Sequence, residues 1–303
     1  MSLRTIGYAN KGTRKGHKMN RTEIQEIVTN NIISALDAGV VPWQKPWDGY
    51  GGQTSLSTGK AYRGVNTLIL DAVQMSHGYG LPLWGTYKQI AALGGQIRKG
   101  EKGTPIVFWK KLEKESDDGE KSSFMMMKFY TVFNVDQADG VEIPARFLVE
   151  REPVDVLEGV GEALSYGPVV RHVAQDKAYY EAGTDRITLP ALEQFASPEK
   201  YAATALHEVA HSTGHESRLA RLDSSAPFGC ASYAEEELVA EIAAAMLATV
   251  IGVRVEWDQT AAYVASWLRV LRNDRAMIVS AAQKAQKAVD VVLAASMVQE
   301  VAA

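Results

Sequence analysis

The tightest constraint on this chain is the pentapeptide His207-Glu208-Val209-Ala210-His211. Two histidines four residues apart lie one above the other on a helix, so both imidazoles can reach one ion. The spacing therefore calls for a helix here. Glu208 projects to a neighbouring side, where its carboxylate can face a water at that ion, which is why the His-Glu-x-x-His pattern serves hydrolysis. Two packed core histidines are the weaker alternative.

A catalytic zinc takes three protein ligands and leaves one position open. Zinc is the expected ion, with another divalent transition metal as the alternative. Two residues compete for the third place. His215 follows His211 by four, but Gly214 can end the helix and swing it away, and the longer three-histidine spacing His-x-x-Gly-x-x-His is absent. Glu237, in the run Glu235 to Glu241 on a following helix, is the preferred ligand, with Glu236 left open by a register of one. Glu241, one turn on, is placed to hydrogen-bond a ligating histidine. An acidic helix start favoured by the macrodipole accounts for Glu235. It accounts poorly for Glu241, which sits among Val239, Ile242 and Leu247. Glu208 is the expected proton acceptor. His215 and Tyr233 are candidates to stabilise an oxyanion, and a strand over 186–189 could pair with an extended peptide.

Length and charge say where such a site would sit. At 303 residues the chain suggests two domains, and 46% hydrophobic with 22% charged residues excludes an overall disordered protein. Residues 1–134 hold 18 Lys and Arg against 11 Asp and Glu, whereas 135–303 hold 14 against 25. A basic first half on an acidic second half points to an anionic partner for the first half alone. The single cysteine, Cys230, cannot form an internal disulfide and reads as a small loop residue. No apolar run is long enough to span a membrane, and residues 1–18 are a flexible basic leader without the apolar region of a signal peptide. A reducing cytoplasm is the expected location.

The expected fold is α+β in two domains, 19–140 and 155–303 after the leader at 1–18. Helices are expected from Thr22 to Asp37, Asn66 to His77 and Thr86 to Leu93. Strands Pro105–Trp109 and Phe129–Phe133 form a hairpin around a charged loop, Lys110 to Lys121. After a linker come a helix near Val156–Leu164, a hairpin from Ala178 to Leu189, and a helix capped by Ser197 that carries the histidines. Helices near 234–251, 258–272 and 274–299 make the second domain mostly helical with a small sheet.

In the first domain aromatic and cationic residues interleave: Trp43, Lys45, Trp47, Lys60, Tyr62, Arg63, Trp84, Tyr87, Lys88, Arg98, Lys99, Lys102, Trp109 and Lys110. Such a pattern suits single-stranded nucleic acid, whose bases stack on aromatic faces while cations follow the backbone. The competing reading puts the tryptophans in the core and the cations on a solvated surface. Composition does not separate the two.

From Met19 onward the chain resembles the ArdC family of plasmid-encoded antirestriction proteins. The likeness rests on Val41-Pro42-Trp43, Pro46-Trp47, Tyr62-Arg63-Gly64-Val65-Asn66, Trp84 to Gln89 and Arg98 to Gly103, and, further on, on His207 to His215, Arg218-Leu219 and Tyr233 to Glu241. It implies a first domain that binds single-stranded DNA, with Asn66 among the contacts, joined to a zincin-like metallopeptidase domain. It also implies a role in helping conjugating DNA escape restriction, without establishing a peptide substrate, for which a component of the restriction system is one candidate. A DNA-coating protein with a purely structural metal is the alternative. A DNA mimic is disfavoured, because its surface should be acidic throughout.

Overall fold

A computed structural model of the chain describes residues 21–44, 51–115, 121–149, 154–222, 231–257 and 261–302. The leader, Lys45, Pro46, Trp47 and Cys230 lie outside the described residues.

The first helix, α1 (Arg21–Asp37), ends where Gly39 takes a positive φ of 78°. Its stripe Val28, Ile32 and Leu36 is buried. A short strand β1 (Thr54–Ser55) leads to α2 (Val65–His77), then β2 (Leu83–Gly85) and α3 (Tyr87–Ala91). Thr86 caps α3 in a reciprocal capping box with Gln89. After β3 (Gln96–Ile97) come the long strands β4 (Thr104–Glu115) and β5 (Lys121–Asn134), then β6 (Ala138–Asp139). Strands β1, β2, β5 and β4 form one sheet in that order, and β3 pairs with β6.

One expectation is corrected here. Lys110 to Glu115 is strand, not loop, paired in register from Lys110↔Met126 to Glu115↔Lys121. The charges on this arm masked its strand pattern, and backbone pairing with residues 121–126 of β5 carries it onward.

The second half opens with α4 (Val156–Leu164), capped by Asp155. Strands β7 (Val169–Val173), β8 (Tyr179–Glu181) and β9 (Arg186–Pro190) form a sheet in the order β7-β9-β8, with β7 parallel and β8 antiparallel to β9. The remainder is α5 (Pro198–Ser212), α6 (Ala231–Ile251), α7 (Ala261–Asn273) and α8 (Met277–Ala302). Proline at the start of α5 costs no hydrogen bond, and the Ser197 hydroxyl accepts from Lys200 N–H at 3.1 Å.

The main core runs across both halves. One cluster joins Val28, Ile32, Leu36 and Trp43 to Leu206, Leu247, Trp267 and Val289, because α1 packs on α7 and α8 as well as on α2. Two smaller clusters fill the four-stranded sheet, one around Trp84 and one around Ile90. The α+β class holds, and α5 and α6 lie side by side near the centre.

Candidate metal centre and nucleic-acid face

Helix α5 presents His207 and His211 on one face, and α6 brings Glu237 opposite them. The two Nε2 atoms are 3.0 Å apart. Glu237 Oε2 is 3.6 Å from His207 Nε2, and Glu237 Oε1 is 3.6 Å from His211 Nε2. Donors bound to one tetrahedral zinc at about 2.0–2.1 Å stand about 3.3 Å from each other, so the three groups already have the spacing of a ligand set. Among the described residues they form the one cluster of three or more such donors within 4.8 Å.

What holds the imidazoles lies behind them. The His211 Nδ1 N–H donates to Glu236 Oε1 at 3.1 Å. Arg221 clamps that carboxylate with two bonds, 2.7 Å from Nε and 2.8 Å from Nη2, and also donates to Ala210 O and Thr213 Oγ1 of the α5 terminus. Its side chain is only 6% exposed. Behind His207, Glu241 Oε1 lies 3.9 Å from Nδ1. Both histidines thus turn Nε2 to the same point, as backing carboxylates require. Glu241, expected to hydrogen-bond a ligating histidine, stands at ion-pair distance from His207 instead, and the hydrogen bond to an imidazole comes from Glu236, which the sequence offered as a rival ligand.

Charge follows geometry. Burial lowers the His207 pKa, but the Glu237 hydrogen bond and the Glu241 and Glu208 carboxylates prevail and push it up to about 9. Burial raises Glu237, yet His207, His211 and Tyr233 hold it down to about 2. Burial also raises Glu236, against which His211 and Arg221 keep it below the ordinary carboxylate range. Glu241, buried with Glu237 nearby, stays above that range. The opposite charges of the His207 imidazolium and the Glu237 carboxylate hold one another in their ionised forms.

Glu208 is 7% exposed and lines a cavity of about 500 Å³ with both histidines, Glu237 and Tyr233. Tyr179 and Tyr180 of β8 form another wall. The expectation that residues 186–189 would receive a peptide is corrected: β9 is the central strand, its backbone already paired on both sides, and the edge beside the cavity belongs to β8. His215 is turned away, with Nδ1 2.7 Å from Ser217 Oγ. Gly214 follows the helix end because a Cβ there would meet Leu222 at 2.8 Å. Arg218 ties the following loop to the sheet through Asp185 and Tyr180.

The aromatic residues of the first half divide. Trp84 is fully buried and donates its indole N–H to Gln53, and Trp43 is 4% exposed, edge-on to Trp267 at 5.2 Å. Neither offers a face to a base, so both leave the set of DNA contacts and belong to the core. Asn66 spends its amide on both backbone groups of Val107, at 2.7 and 2.8 Å. Tyr62 is half-buried. Arg63 pairs with Asp290 of α8 at 2.6 Å, and Arg98 with Glu101 and Asp139. Tyr87, Lys88, Lys99 and Lys102 are exposed. The side chains of Trp109 and Lys110 lie outside the described residues. Two aromatics that the sequence reading passed over stand out on the β4–β5 ribbon. Phe108 and Tyr130 are 52% and 46% exposed, their rings 5.9 Å apart and nearly perpendicular, with exposed Lys128 directly across from Phe108.

Comparison with known proteins places both halves. The model of the N-terminal domain of anti-restriction factor ArdC matches residues 22–133, and that of a zincin-like metallopeptidase matches residues 163–284. Crystal structures of the antirestriction ArdC protein from plasmid R388 are similar over nearly their whole length. The metal-free form shows 38% identity and a TM-score of 0.76, covering 91% of this chain and 98% of that one. The Mn(II)-bound form shows 37% identity and a TM-score of 0.75, covering 92% and 98%. The Sinorhizobium fredii protein y4eC is 39% identical over 283 residues, covering 89% of this chain and 91% of its own. The Escherichia coli DNA primase TraC is 41% identical over 291 residues, which is 89% of this chain but only 27% of the primase.

Proposed function

The chain belongs to the ArdC family of antirestriction proteins, and from that membership we infer that it binds single-stranded DNA through its first half and holds a divalent metal, zinc by its donor set, at a peptidase-like centre in its second. Its role would be to protect DNA arriving by conjugation from the host's restriction system, in the cytoplasm of the receiving cell. No helix among the described residues is long and apolar enough to cross a membrane.

The observation that carries the reading is the convergence of His207, His211 and Glu237 beside buried Glu208 on an open cavity. A structural zinc site is closed by four protein ligands, whereas a catalytic one keeps a position free. Three donors facing a cavity of about 500 Å³ favour the catalytic case over a purely structural metal. The relative from R388 has a Mn(II)-bound crystal form, which supports a divalent ion here. Once bound, the ion would polarise a carbonyl and acidify a water. Glu208 would accept that water's proton and return it to the leaving amine. The β8 edge would align an extended peptide, and Tyr233 lines the same cavity as a hydroxyl donor. A peptide from the restriction machinery is the proposed substrate.

For DNA the exposed Phe108–Tyr130 pair with Lys128 supports stacking better than the buried tryptophans do. The test is conjugation into restricting and non-restricting recipients with the parent and Glu208→Ala. Loss of protection with retained single-strand binding supports a working centre. Full protection by Glu208→Ala would leave DNA coating as the function.

A further inference from the structure

Four consecutive residues, Val41, Pro42, Trp43 and Gln44, are buried although they belong to no helix or strand. They leave α1 and enter the core of the second half, where Trp43 meets Trp267 of α7. Gln44, 5% exposed, comes to the back of the metal centre. Its Nε2 amide donates to Glu241 Oε2 at 3.5 Å, and the other oxygen of the same carboxylate faces His207 Nδ1 at 3.9 Å.

This placement has a cost that packing does not explain. Trp43 Nε1 and Gln44 Oε1 are buried with no hydrogen-bond partner among the described residues. A buried polar atom without a partner costs the fold about 1–3 kcal/mol. The unpaired Oε1 offsets what the Nε2 bond to Glu241 contributes, so the amide adds little to the fold itself.

We propose that Gln44 is a positioning residue for the metal centre, holding the Glu241 carboxylate against His207 so that the first half supplies part of the site's outer shell. The inference rests on His207, His211 and Glu237 being metal ligands. An amide suits the task because it donates without neutralising the carboxylate, which stays able to accept from His207 Nδ1 and keep Nε2 aimed at the ion. The two histidines are then oriented by two carboxylates with different anchors. Glu236 is gripped by Arg221, from the segment following α5. Glu241 is held by an amide 197 residues away in sequence.

The test is a Zn(II) affinity titration against a chromophoric chelator, on full-length parent, Gln44→Leu, Glu241→Ala and the double variant. Thermal midpoints of the metal-free proteins are measured alongside. Gln44→Leu should change the metal-free midpoint little, the lost bond to Glu241 being offset by removal of the unpaired Oε1, yet weaken Zn(II) binding about 3- to 10-fold. In the Glu241→Ala background the same change should cost nothing more, because the contact is already gone. If leucine lowers the midpoint, Gln44→Met, longer and unbranched, carries the same comparison. Parent-like affinity in the apolar variants, or an equal loss with and without Glu241, overturns the proposal while leaving the metal reading intact. A parent that binds no Zn(II) overturns both.

Discussion

Arg221 shows how much of the centre depends on side chains that never touch an ion. Its guanidinium neutralises Glu236, which orients His211, and its remaining donors close the end of α5. Removing one partner of a buried, hydrogen-bonded pair typically costs about 3–5 kcal/mol. Arg221→Ala should therefore lower metal-free stability by about 3 kcal/mol in urea and weaken Zn(II) binding by about tenfold or more. The elevated His207 pKa makes the metal-free stability depend on pH. Folding raises it from 6.5 to about 9, so its contribution to metal-free stability is complete below pH 6.5 and fades as pH climbs through 9. Metal binding runs the other way. The ion must displace that proton, so Zn(II) affinity should rise about tenfold per unit from pH 7 towards 9 and then level, and calorimetry in buffers of different ionisation enthalpy should count about one proton released. A flat profile would mean that His207 is already neutral at pH 7.

At the scale of elements, the β4–β5 ribbon and the α5–α6 pair teach opposite lessons about legibility. His207, Glu208 and His211 were readable because the helix spacing that unites them is local, and Glu237 because the acidic run points to a second helix. Which way α6 turns was not local. A small rotation decides that Glu236 backs His211 while Glu237 faces the shared point, and no sequence signal fixes it. Arg221 had none either, since its partner lies on the next helix. On the ribbon, aromatic content alone could not tell face from core: Ile106 and Val107 are both buried, and exposure begins only at Phe108, where cover ends. Phe108→Ala with Tyr130→Ala should thus weaken single-stranded DNA binding by about tenfold or more, from about 1–3 kcal/mol per stacked base, and leave the thermal midpoint nearly unchanged. Trp84→Ala should instead destabilise by about 3–5 kcal/mol. Fluorescence anisotropy with a labelled oligonucleotide, paired with thermal melts, separates the two effects.

Across the whole molecule the two halves share one core, so neither the β4–β5 ribbon nor the His207–His211–Glu237 cluster sits on an independent body. Val28, Ile32 and Leu36 of α1 and Trp43 after it pack among residues of the last three helices. Surface pairs add to the join, Asp37 with Arg272 and Arg63 with Asp290. A chain assembled this way should melt in a single calorimetric transition, and deletion through residue 44 should abolish cooperative unfolding of the remainder. Two resolved transitions would show that the halves fold separately. The expected boundary between residues 140 and 155 marks a change in chemistry, while the packing crosses it through α1.

The central claim is that His207, His211 and Glu237 form one metal site, and metal content tests it most directly. Mass spectrometry on the purified protein, loaded with zinc and freed of excess, should find about one ion per chain. Glu237→Ala should lose most of it with the fold intact, while Glu236→Gln should keep the stoichiometry at reduced affinity. Full occupancy in Glu237→Ala, or no bound transition metal in the parent, would contradict the account.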